Sequence, residues 1–394
     1  MGYQERLDRL TRRLAEEGLD VELYASAFNP DPFRVSRSHY KELLTLQETV
    51  ARALEAIVTH YPYDARISDV VALSEPERQL IHRLEGVPFR LGTFRPDFVY
   101  DGDGRPRITE INARFPLNGY LSSSLLNRVT SSLYGPEHGL PGLDRLETAL
   151  RHRLGGNGCI GVVRSSEPGW DIHLLSRWWD DRCETRTPEA LTLDDLSRWS
   201  AVILELAQSE ILERISPPVL EALAVHPGLL NDLRTIFIVH DKRLLSLLST
   251  SAVLDDYMVA PDLERLRAHV TPTWVKGLAP AKIDQAAREH MGWLVKPPRG
   301  GKGQGIQVSH HLKAETWARL LRELPDDWIL QPFIPQKRFS IARNDCLDES
   351  MRVVGLLPAL DGEAFGPGMF RASSDDIINV ARGGTILAPL LEEE

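Results

Sequence analysis

Residues 94–100 (FRPDFVY), 101–104 (DGDG) and 105–116 (RPRITEINARFP) form the most informative stretch of the chain. Both arms carry apolar residues at alternate positions, and the Asp-Gly dipeptides between them are strong signals for a hairpin turn. A two-residue turn at Asp103-Gly104 sets one register between the two arms. A turn at Asp101-Gly102 would shift that register by an even number of residues, which leaves the same side chains on the same face. Either turn predicts two antiparallel strands that share one polar face.

Four polar side chains lie on that predicted face. Counting outward from the turn, Asp97 faces Glu110, and by the same count Arg95 faces Asn112. Two carboxylates directly opposite each other destabilise a strand pair by about 0.2–1 kcal/mol when exposed. A divalent cation removes this repulsion, and two carboxylates with an amide oxygen suit Mg²⁺. The alternative is an ordinary exposed hairpin whose acidic face is balanced by Arg95 and Arg107.

Composition limits the classes of function. The chain has 394 residues, of which 42% are hydrophobic and 26% charged, and its formal net charge is −10. This acidity disfavours a protein that coats nucleic acid, because such binding needs a basic surface. Three scattered cysteines without zinc spacing fit a reducing compartment. The N-terminal segment has no apolar signal core and no run of about 18 apolar residues occurs, so we expect a cytoplasmic protein that does not enter membranes.

The periodicity of apolar residues predicts a mixed α/β (α+β) chain. Residues 3–60 are predicted to be mostly helical, and short buried strands are predicted at 159–163 and 201–204 in a small α/β unit. Residues 234–239 (RTIFIV) are predicted to form a strand, followed by a helix over 244–248. Asp241 is then a candidate N-cap, with Lys242 in the first helical turn, where a cation opposes the helix dipole. A solvated surface lysine is the alternative for Lys242.

A second informative stretch, residues 293–308 (WLVKPPRGGKGQGIQV), predicts a strand, a glycine-rich turn and a second strand. Glycines allow backbone amides to approach an anion closely, so the turn is a candidate phosphate-covering flap. Lys296 ends the first strand, where it can reach into a cleft. The segment is not a P-loop, because no Ser or Thr follows the Gly-Lys pair and no helix begins there. A merely flexible hairpin is the alternative. The flap residues in question are Gly300, Gly301, Lys302, Gly303 and Gly305.

Further strands are predicted toward the C-terminus. Residues 328–334 (WILQPFI) end in a proline-marked turn, and Gln331 there could offer its amide group to a purine edge. Residues 351–357 and 366–372 are also predicted to be strands.

Taken together, these motifs resemble the ATP-grasp superfamily. More narrowly, they resemble its circularly permuted branch, typified by the synthetase domain of glutathionylspermidine synthetase. The resemblance covers about residues 90–384, and the metal hairpin precedes the lysines as in that branch. It rests on Arg95-x-Asp97, Glu110-x-Asn112, Asp241-Lys242, Val295-Lys296-Pro297 with its glycines, Gln331-Pro332-Phe333, Arg371 and Asn379-Val380-Ala381-Arg382.

The resemblance implies an ATP-dependent carboxylate–amine ligase that forms an amide or peptide bond through an acylphosphate. ATP and Mg²⁺ are the implied cofactors, and the nucleotide would lie between two β-containing subdomains. Asp97, Glu110 and Asn112 would hold the metal, and Arg95 would stabilise charge on the transferred phosphoryl group. The nucleotide would be bound by Lys242, Lys296, the flap residues, Gln331 and Arg371. Whether Arg371, Asn379 and Arg382 contact nucleotide or substrate is left open.

The resemblance also implies a domain organisation. Residues 1–150 form a helical region with the metal-binding hairpin, 151–225 a small α/β substrate-side domain, 226–340 the ATP-grasp small subdomain with its flap, and 341–394 the strands that complete the core. There is no room for the amidase domain of two-domain relatives, and residues 120–230 match no motif. Glutathione and spermidine are therefore not carried over as substrates.

We expect small-molecule carboxylate and amine substrates, with an amino acid or small peptide preferred, and neither a nucleic acid nor a membrane as partner. A homodimer is compatible with the sequence. Two alternatives share the resemblance: an ATP-dependent phosphotransferase of the same fold, and a non-catalytic nucleotide-binding protein.

Overall fold

The structure is a computed structural model and describes residues 1–22, 27–155, 158–165, 169–179, 182–301, 303–345, 347–378, 380 and 383–392. Lys302, Asn379 and Arg382, which the sequence singles out, lie outside the described residues. The described residues combine helices and strands, as the α/β (α+β) prediction requires. No described helix combines the length and the apolar character needed to cross a bilayer.

The helices of the described chain are α1 Tyr3–Glu16, α2 Arg37–His60, α3 Ala65–Ser68, α4 Glu75–His82, α5 Leu121–Tyr134, α6 Pro141–Arg153, α7 Trp170–Trp179, α8 Leu193–Arg198, α9 Gln208–Arg214, α10 Pro217–Ala224, α11 Leu244–Ser249, α12 Ala260–His269, α13 Pro280–Glu289 and α14 Ala314–Glu323. The strands are β1 Phe33–Ser36, β2 Thr93–Tyr100, β3 Pro106–Asn112, β4 Ile160–Arg164, β5 Cys183–Arg186, β6 Ala201–Glu205, β7 Trp274–Val275, β8 Trp293–Lys296, β9 Gln307–Val308, β10 Ile329–Pro332, β11 Phe339–Asn344, β12 Leu347–Leu356, β13 Ala359–Leu360, β14 Glu363–Ala364, β15 Phe370–Ser373, β16 Thr385–Leu387 and β17 Pro389–Glu392.

The largest sheet is organised around β2. This strand pairs with β3 along one edge and with β12 and β13 along the other, and all these pairings are antiparallel. β15 and β16 extend the sheet beyond β12, and β11 also pairs with β12. All eight residues of β2 are buried, so the strand is covered on both faces. The side chains that β2 carries are therefore held by packing on every side.

The predicted N-terminal helices are present. Helix α2 begins after Ser36, whose hydroxyl accepts a hydrogen bond from the backbone N–H of His39, as an N-cap side chain does. Its apolar residues recur every three or four positions, which places them on the face that packs into the main core. The fully buried members of this stripe include Leu43, Leu46, Val50, Leu54 and Ile57.

A second, smaller sheet carries the glycine-rich turn. Its strand order is β7-β10-β8-β9, every pairing is antiparallel, and the turn connects β8 to β9. This sheet packs with α13 and α14 around an apolar cluster separate from the main core. The cluster contains Ala286, Trp293, Val295, Trp317, Leu321, Leu324 and Leu330. The prediction of a strand, a turn and a strand over 293–308 is confirmed.

The region after residue 150 contains the predicted small α/β unit. Strands β5, β4 and β6 form a three-stranded parallel sheet in that order, and β4 and β6 coincide with the two predicted strands. The apolar side chains of β4 and β6 belong to the same core as those of β2. This unit therefore shares one apolar core with the large sheet.

Two local predictions are wrong. Residues Thr235–Val239 form a buried π-helical turn and not a strand. A short run of apolar and β-branched residues has no alternating polar face, so periodicity cannot separate a buried strand from a buried helix. Helix α11 begins only at Leu244, so Lys242 precedes it and does not oppose its dipole. Asp241 accepts a hydrogen bond from the N–H of Arg243 but is not the N-cap of α11.

Candidate functional site

The polar face of the β2–β3 hairpin has the predicted partners but a different turn. Asp97 faces Glu110 and Arg95 faces Asn112, which confirms the predicted pairing. The connection is longer than two residues, since Tyr100 pairs with Pro106. A β-bulge compensates: Phe98 pairs with Ile108 while Asp97 pairs with Glu110, which leaves Thr109 without an opposing residue.

All four of these side chains and several neighbours line one cavity of about 210 Å³, which we call the charged cavity. It lies between the large sheet and the glycine-rich turn of the small sheet. Its polar and glycine lining comprises Arg95, Asp97, Glu110, Asn112, Arg114, Asn118, Lys296, Gly301, Gly303 and Arg371. The hairpin and the turn are almost 200 positions apart in sequence, yet they border the same space.

Lys296 connects the two sheets. It is the last residue of β8 and is buried, and its Nζ donates to the carbonyl oxygen of Thr109 at 3.3 Å. The bulge therefore has a function in the site, because the unpaired Thr109 carbonyl is available to accept from the lysine. Burial lowers the pKa of Lys296 to about 8, with the positive charge of Lys242 acting in the same direction and Glu110 opposing it.

Lys242 approaches the same site from the other side. It is buried, and its Nζ lies 2.8 Å from the carbonyl oxygen of Gly300 and 4.0 Å from Oε2 of Glu110. Its backbone N–H also donates to the carbonyl oxygen of Pro298 at 2.9 Å. The interpretation of Lys242 as a solvated surface residue is therefore wrong. Two contacts fix it to the start of the glycine-rich turn.

Glu110 supplies the opposite charge for both lysines. Burial by itself would raise the pKa of Glu110, but the charges of Lys242 and Lys296, followed by those of Arg371 and Arg95, lower it below its usual value. The carboxylate is therefore ionised, and 30% of its side chain remains exposed to the cavity. It can accept a ligand on that side without losing its neighbours.

Asp97 is held by two guanidinium groups. Nη2 of Arg371 lies 2.6 Å from Oδ2 of Asp97, and Nε of Arg95 lies 3.3 Å from Oδ1. Arg95 also donates to the backbone carbonyl of Asn118. A Cβ at Gly119 would lie 2.9 Å from Nη1 of Arg95, so the absence of a side chain there leaves room for the guanidinium. Arg95 thus has a fixed position beside the acidic pair.

A second cavity of about 110 Å³ adjoins the first, and we call it the apolar cavity. Lys296, Ile306, Val354, Ile377 and Ile378 line both cavities. Gln331 lines only the apolar one. It is buried, and its Nε2 donates to Oγ1 of Thr273 at 2.9 Å, so its amide orientation is fixed.

The glycines of the turn do not all occupy equivalent places. Gly301 and Gly303 line the charged cavity, whereas Gly300 and Gly305 do not. Gly300 instead provides the carbonyl that accepts from Lys242. A Cβ at Gly305 would lie 3.1 Å from Cγ of Pro297, so this glycine serves the packing of the turn.

The sequence gives no local signal for three further residues that line the charged cavity. Arg114, Phe115 and Asn118 follow β3 and line the charged cavity. Phe115 has a left-handed backbone with φ of 52°, and the guanidinium of Arg114 lies 4.4 Å from the centre of its ring. A non-glycine residue with positive φ is uncommon and marks a constrained backbone.

The loop after β3 is fixed by two buried side chains. The N–H of Ala113 donates to Nδ1 of His240 at 3.3 Å, and burial lowers the pKa of His240 well below its usual value, so the ring is neutral. The carboxylate of Asp171 accepts from the N–H groups of Gly119 and Ser122, both at 2.9 Å. These contacts hold the loop on both sides of Asn118.

Comparison with known proteins identifies the family relationship. Residues 46–238 match the family described as the AnkG N-terminal domain. The chain is also 25% identical to the ATP-grasp enzyme ankG of Aspergillus thermomutatus, over 92% of this chain and 89% of that protein. The chain is related to ATP-grasp enzymes. The resemblance to the ATP-grasp superfamily inferred from the motifs is therefore confirmed.

A solved structure has a similar fold. A glutathione synthetase-like effector from Globodera pallida, in its apo form, superimposes with a TM-score of 0.59 over 100% of this chain and 98% of its own. Its sequence identity is 13%, so the likeness concerns the fold. The match to the AnkG N-terminal domain includes the β2–β3 hairpin and ends before Lys242.

The donor set in this ATP-grasp relative fits a hard divalent cation. Asp97, Glu110 and Asn112 offer carboxylate and amide oxygens toward one cavity, which is the ligand chemistry of Mg²⁺. Each carboxylate has about four lone-pair sites, so the two guanidinium contacts of Asp97 leave acceptor capacity for a metal. The residues present therefore fit Mg²⁺.

Proposed function

We propose that this protein is an ATP-dependent carboxylate–amine ligase that forms an amide or peptide bond. The observation that carries the proposal is that the acidic pair of the hairpin shares one cavity with the buried Lys296, while a second buried lysine, Lys242, contacts Glu110 and the glycine-rich turn. The Glu110 carboxylate lies 4.0 Å from Nζ of Lys242, and Lys296 lines the same cavity. A site with this charge pattern suits a metal-bound triphosphate.

Asp97, Glu110 and Asn112 would hold Mg²⁺. When bound, the ion would supply positive charge that offsets the negative charge of the triphosphate during phosphoryl transfer. The motif order, with the hairpin ahead of both lysines, supports the circularly permuted arrangement, and the position of the two cavities supports a nucleotide between two sheets.

Nucleotide binding would be divided between the two cavities. Lys242 and Lys296 would contact the phosphates, and the turn that contains Gly301 and Gly303 would cover them with backbone amides. The apolar cavity suits the adenine ring, since it is lined by Leu294, Ile306, Val308 and other apolar side chains. Gln331 would lie beside the base, with its Nε2 already bonded to Thr273.

Arg95 would act on the reacting groups. A carboxylate oxygen of the first substrate attacks the γ-phosphorus of ATP, ADP leaves, and an acylphosphate results. An amine then attacks the acyl carbon, inorganic phosphate leaves and the amine loses a proton. The guanidinium of Arg95 would stabilise negative charge in both steps. Arg371 would hold Asp97 in place, since its Nη2 lies 2.6 Å from that carboxylate. No covalent nucleophile is needed, because positioning and charge stabilisation carry this chemistry.

The acid substrate would enter beside Arg114 and Asn118. This loop leads toward the three-stranded parallel sheet, where Glu205 at the carboxyl end of β6 accepts from the N–H of Leu117 at 3.4 Å. Ligands of α/β sheets commonly bind beyond the carboxyl ends of the strands. We therefore propose an amino acid or a small peptide as the acid, bound between this sheet and the charged cavity.

The decisive experiment is a screen for ADP release over amino acids, small peptides and amines, with hydroxylamine added to positive reactions. We expect a hydroxamate, because hydroxylamine traps an acylphosphate. The Asp97→Asn variant should release ADP at least about 100-fold more slowly and form correspondingly little hydroxamate. A stable phosphoester in place of the hydroxamate would indicate a phosphotransferase, and nucleotide binding without turnover for any substrate would indicate a non-catalytic protein.

A further inference from the structure

A cluster of metal-ligating side chains lies outside the site described above. His310 and His311 form a short 3₁₀ turn after β9, and Asp376 lies after β15 in the large sheet. Nε2 of His310 is 2.9 Å from Oδ2 of Asp376, and Nε2 of His311 is 3.0 Å from the same oxygen. Two imidazoles from one sheet therefore converge on one carboxylate oxygen from the other.

The spacing of these atoms is close to that of a coordination site. The three ligand atoms lie within 4.8 Å of one another. In a tetrahedral zinc site with bonds of about 2.1 Å, neighbouring ligand atoms are about 3.4 Å apart. If each imidazole moved away from Asp376 by a few tenths of an ångström, an ion would fit between the three ligand atoms. The ion would replace the hydrogen bonds between the histidines and Asp376.

The carboxylate is already oriented for one ligand bond. Nη2 of Arg352 lies 2.7 Å from Oδ1 of Asp376, and Nη1 of Arg352 donates to the carbonyl oxygen of Ser374 at 2.6 Å. Oδ1 is thereby engaged and Oδ2 is directed to the histidines, as outer contacts commonly orient metal ligands. The ring of His310 packs edge-on against Phe333, with ring centres 4.7 Å apart, which limits its rotation.

We propose that His310, His311 and Asp376 form a binding site for a divalent transition-metal ion of the Zn²⁺ class. Two imidazoles and one carboxylate suit Zn²⁺, whereas Mg²⁺ prefers oxygen ligands alone. His311 is 52% exposed, so ions and water reach the site from solvent. Three protein ligands leave a fourth position for water.

The bound ion would connect the two sheets. Asp376 and Phe333 line the apolar cavity, as do Ile377 and Ile378, which follow Asp376 directly. Coordination would therefore join the turn after β9 to the segment after β15 at the edge of the nucleotide cleft. The proposal is independent of the ligase reaction, because it concerns different ligands and a different ion.

The test is titration of tag-free, metal-stripped protein with ZnCl₂ in the presence of excess Mg²⁺ and without nucleotide. We expect one Zn²⁺ per chain, and with CoCl₂ a visible absorption band typical of imidazole coordination. His311→Gln and Asp376→Asn should each weaken Zn²⁺ binding by about 10- to 100-fold or more, since even loss of an outer contact has an effect of that size. Circular dichroism checks that the variants fold. If Asp376→Asn fails to fold, His311→Gln still tests the proposal, because the exposed His311 side chain can be replaced without disturbing the core.

His82→Gln is the matched control. His82 lies 2.7 Å from Glu85 in a similar histidine–carboxylate pair, it is 76% exposed, and no third ligand joins it among the described residues. This variant and Glu110→Gln should both bind Zn²⁺ as the wild type does. Unchanged Zn²⁺ affinity in His311→Gln would overturn the proposal. Loss of Zn²⁺ binding in Glu110→Gln alone would also overturn it, because the ion would then belong to the charged cavity.

Discussion

Glu110 and its two lysines depend on one another for their charges. Lys242 and Lys296 are buried, and burial of an unpaired cation is unfavourable by several kcal/mol. The Glu110 carboxylate compensates for both, and its pKa is lowered in return by their charges although burial opposes this. Without ligand, the site has a net positive charge, because two carboxylates face five cationic side chains, those of Arg95, Arg114, Lys242, Lys296 and Arg371. Mg-ATP, which is negatively charged overall, would be attracted to it.

The first prediction concerns the acidic pair. Asp97→Asn and Glu110→Gln should each lower Mg²⁺-dependent ADP release by roughly 100- to 1,000-fold, because each removes a charged contact used in the transition state. Initial rates at saturating ATP measure this. Arg105→Ala is the control, since Arg105 lies on the same hairpin but is exposed in its turn. Turnover near the wild-type rate in both acidic variants would exclude the metal assignment.

The second prediction concerns pH. Burial lowers the pKa of Lys296 to about 8 in the free protein, with Glu110 opposing the shift. Phosphate groups favour the charged lysine, so its pKa rises when nucleotide binds. Above pH 8, binding must therefore take up a proton, and affinity for Mg-ATP should fall as the pH increases further.

Calorimetry in two buffers of different ionisation enthalpy, at a pH just above that value, measures this proton uptake. Lys296→Met should remove the buffer dependence. Identical binding heats for the wild type in both buffers would contradict the prediction.

The sequence predicts the hairpin side chains of this site better than the lysine contacts. Asp97 and Glu110 share a face because strand side chains alternate, which is a local rule that a sequence displays directly. The burial of Lys242 depends on Gly300 and Pro298, which are more than 50 positions away. No local pattern carries that information, so the sequence around Lys242 is as consistent with a solvated surface lysine as with the buried lysine that the structure has.

At the scale of elements, the glycine-rich turn depends on backbone conformations that other residues adopt poorly. Gly303 has φ of +71°, and a Cβ there would lie 2.8 Å from Cγ2 of Ile377. Gly292, just before β8, has φ of +82°, but a Cβ added there would have no atom within 4 Å. An alanine at Gly292 would therefore strain only the backbone. An alanine at Gly303 would strain the backbone and also collide with Ile377 at the cleft.

The third prediction uses this pair. Gly303→Ala should raise the KM for ATP about tenfold or more, because a non-glycine residue at positive φ costs about 1–3 kcal/mol and moves the turn away from the phosphates. Gly292→Ala should lower thermal stability but leave the KM for ATP unchanged. Equal KM values in the two variants would mean that the turn does not cover the nucleotide.

Secondary structure at this scale follows the sequence wherever one face is polar. The stripe of α2 is predicted correctly because its opposite face is exposed to solvent. The alternation of β2 is predicted correctly because polar side chains that face the charged cavity alternate with apolar ones in the core. Residues 234–239 are buried on every side, so no period exists to distinguish a helix from a strand. The Thr109 bulge was also missed, since it is fixed by the longer turn and by Lys296 and has no signature of its own.

At the scale of the whole molecule, the described residues form two apolar clusters that meet at the site. The larger contains β2, β12 and the three-stranded sheet, and the smaller contains β8, β10, α13 and α14. Lys296 and Gln331 belong to strands of the smaller unit, and Asp97 and Glu110 to the larger. Nucleotide bound in the cleft would contact both units at once.

The fourth prediction follows from this division. Trp317 is fully buried in the smaller cluster, and Trp317→Ala should destabilise it by about 3–5 kcal/mol. Hydrogen exchange should therefore accelerate in β8 and β10 and remain slow in β2 and β12. Phe370→Ala, in the larger cluster, should accelerate hydrogen exchange in β2 and β12 and leave exchange in β8 and β10 slow.

Saturating Mg-ATP should partly restore slow exchange in β8 and β10 of Trp317→Ala, because a ligand at 100 times its dissociation constant stabilises the bound state by about 2.7 kcal/mol. Mg-ATP should give no such protection when Lys296→Met is added to Trp317→Ala, since β8 then loses its contact with the phosphates. Protection that is unchanged by the second substitution would mean that nucleotide stabilises the small sheet through some other residue.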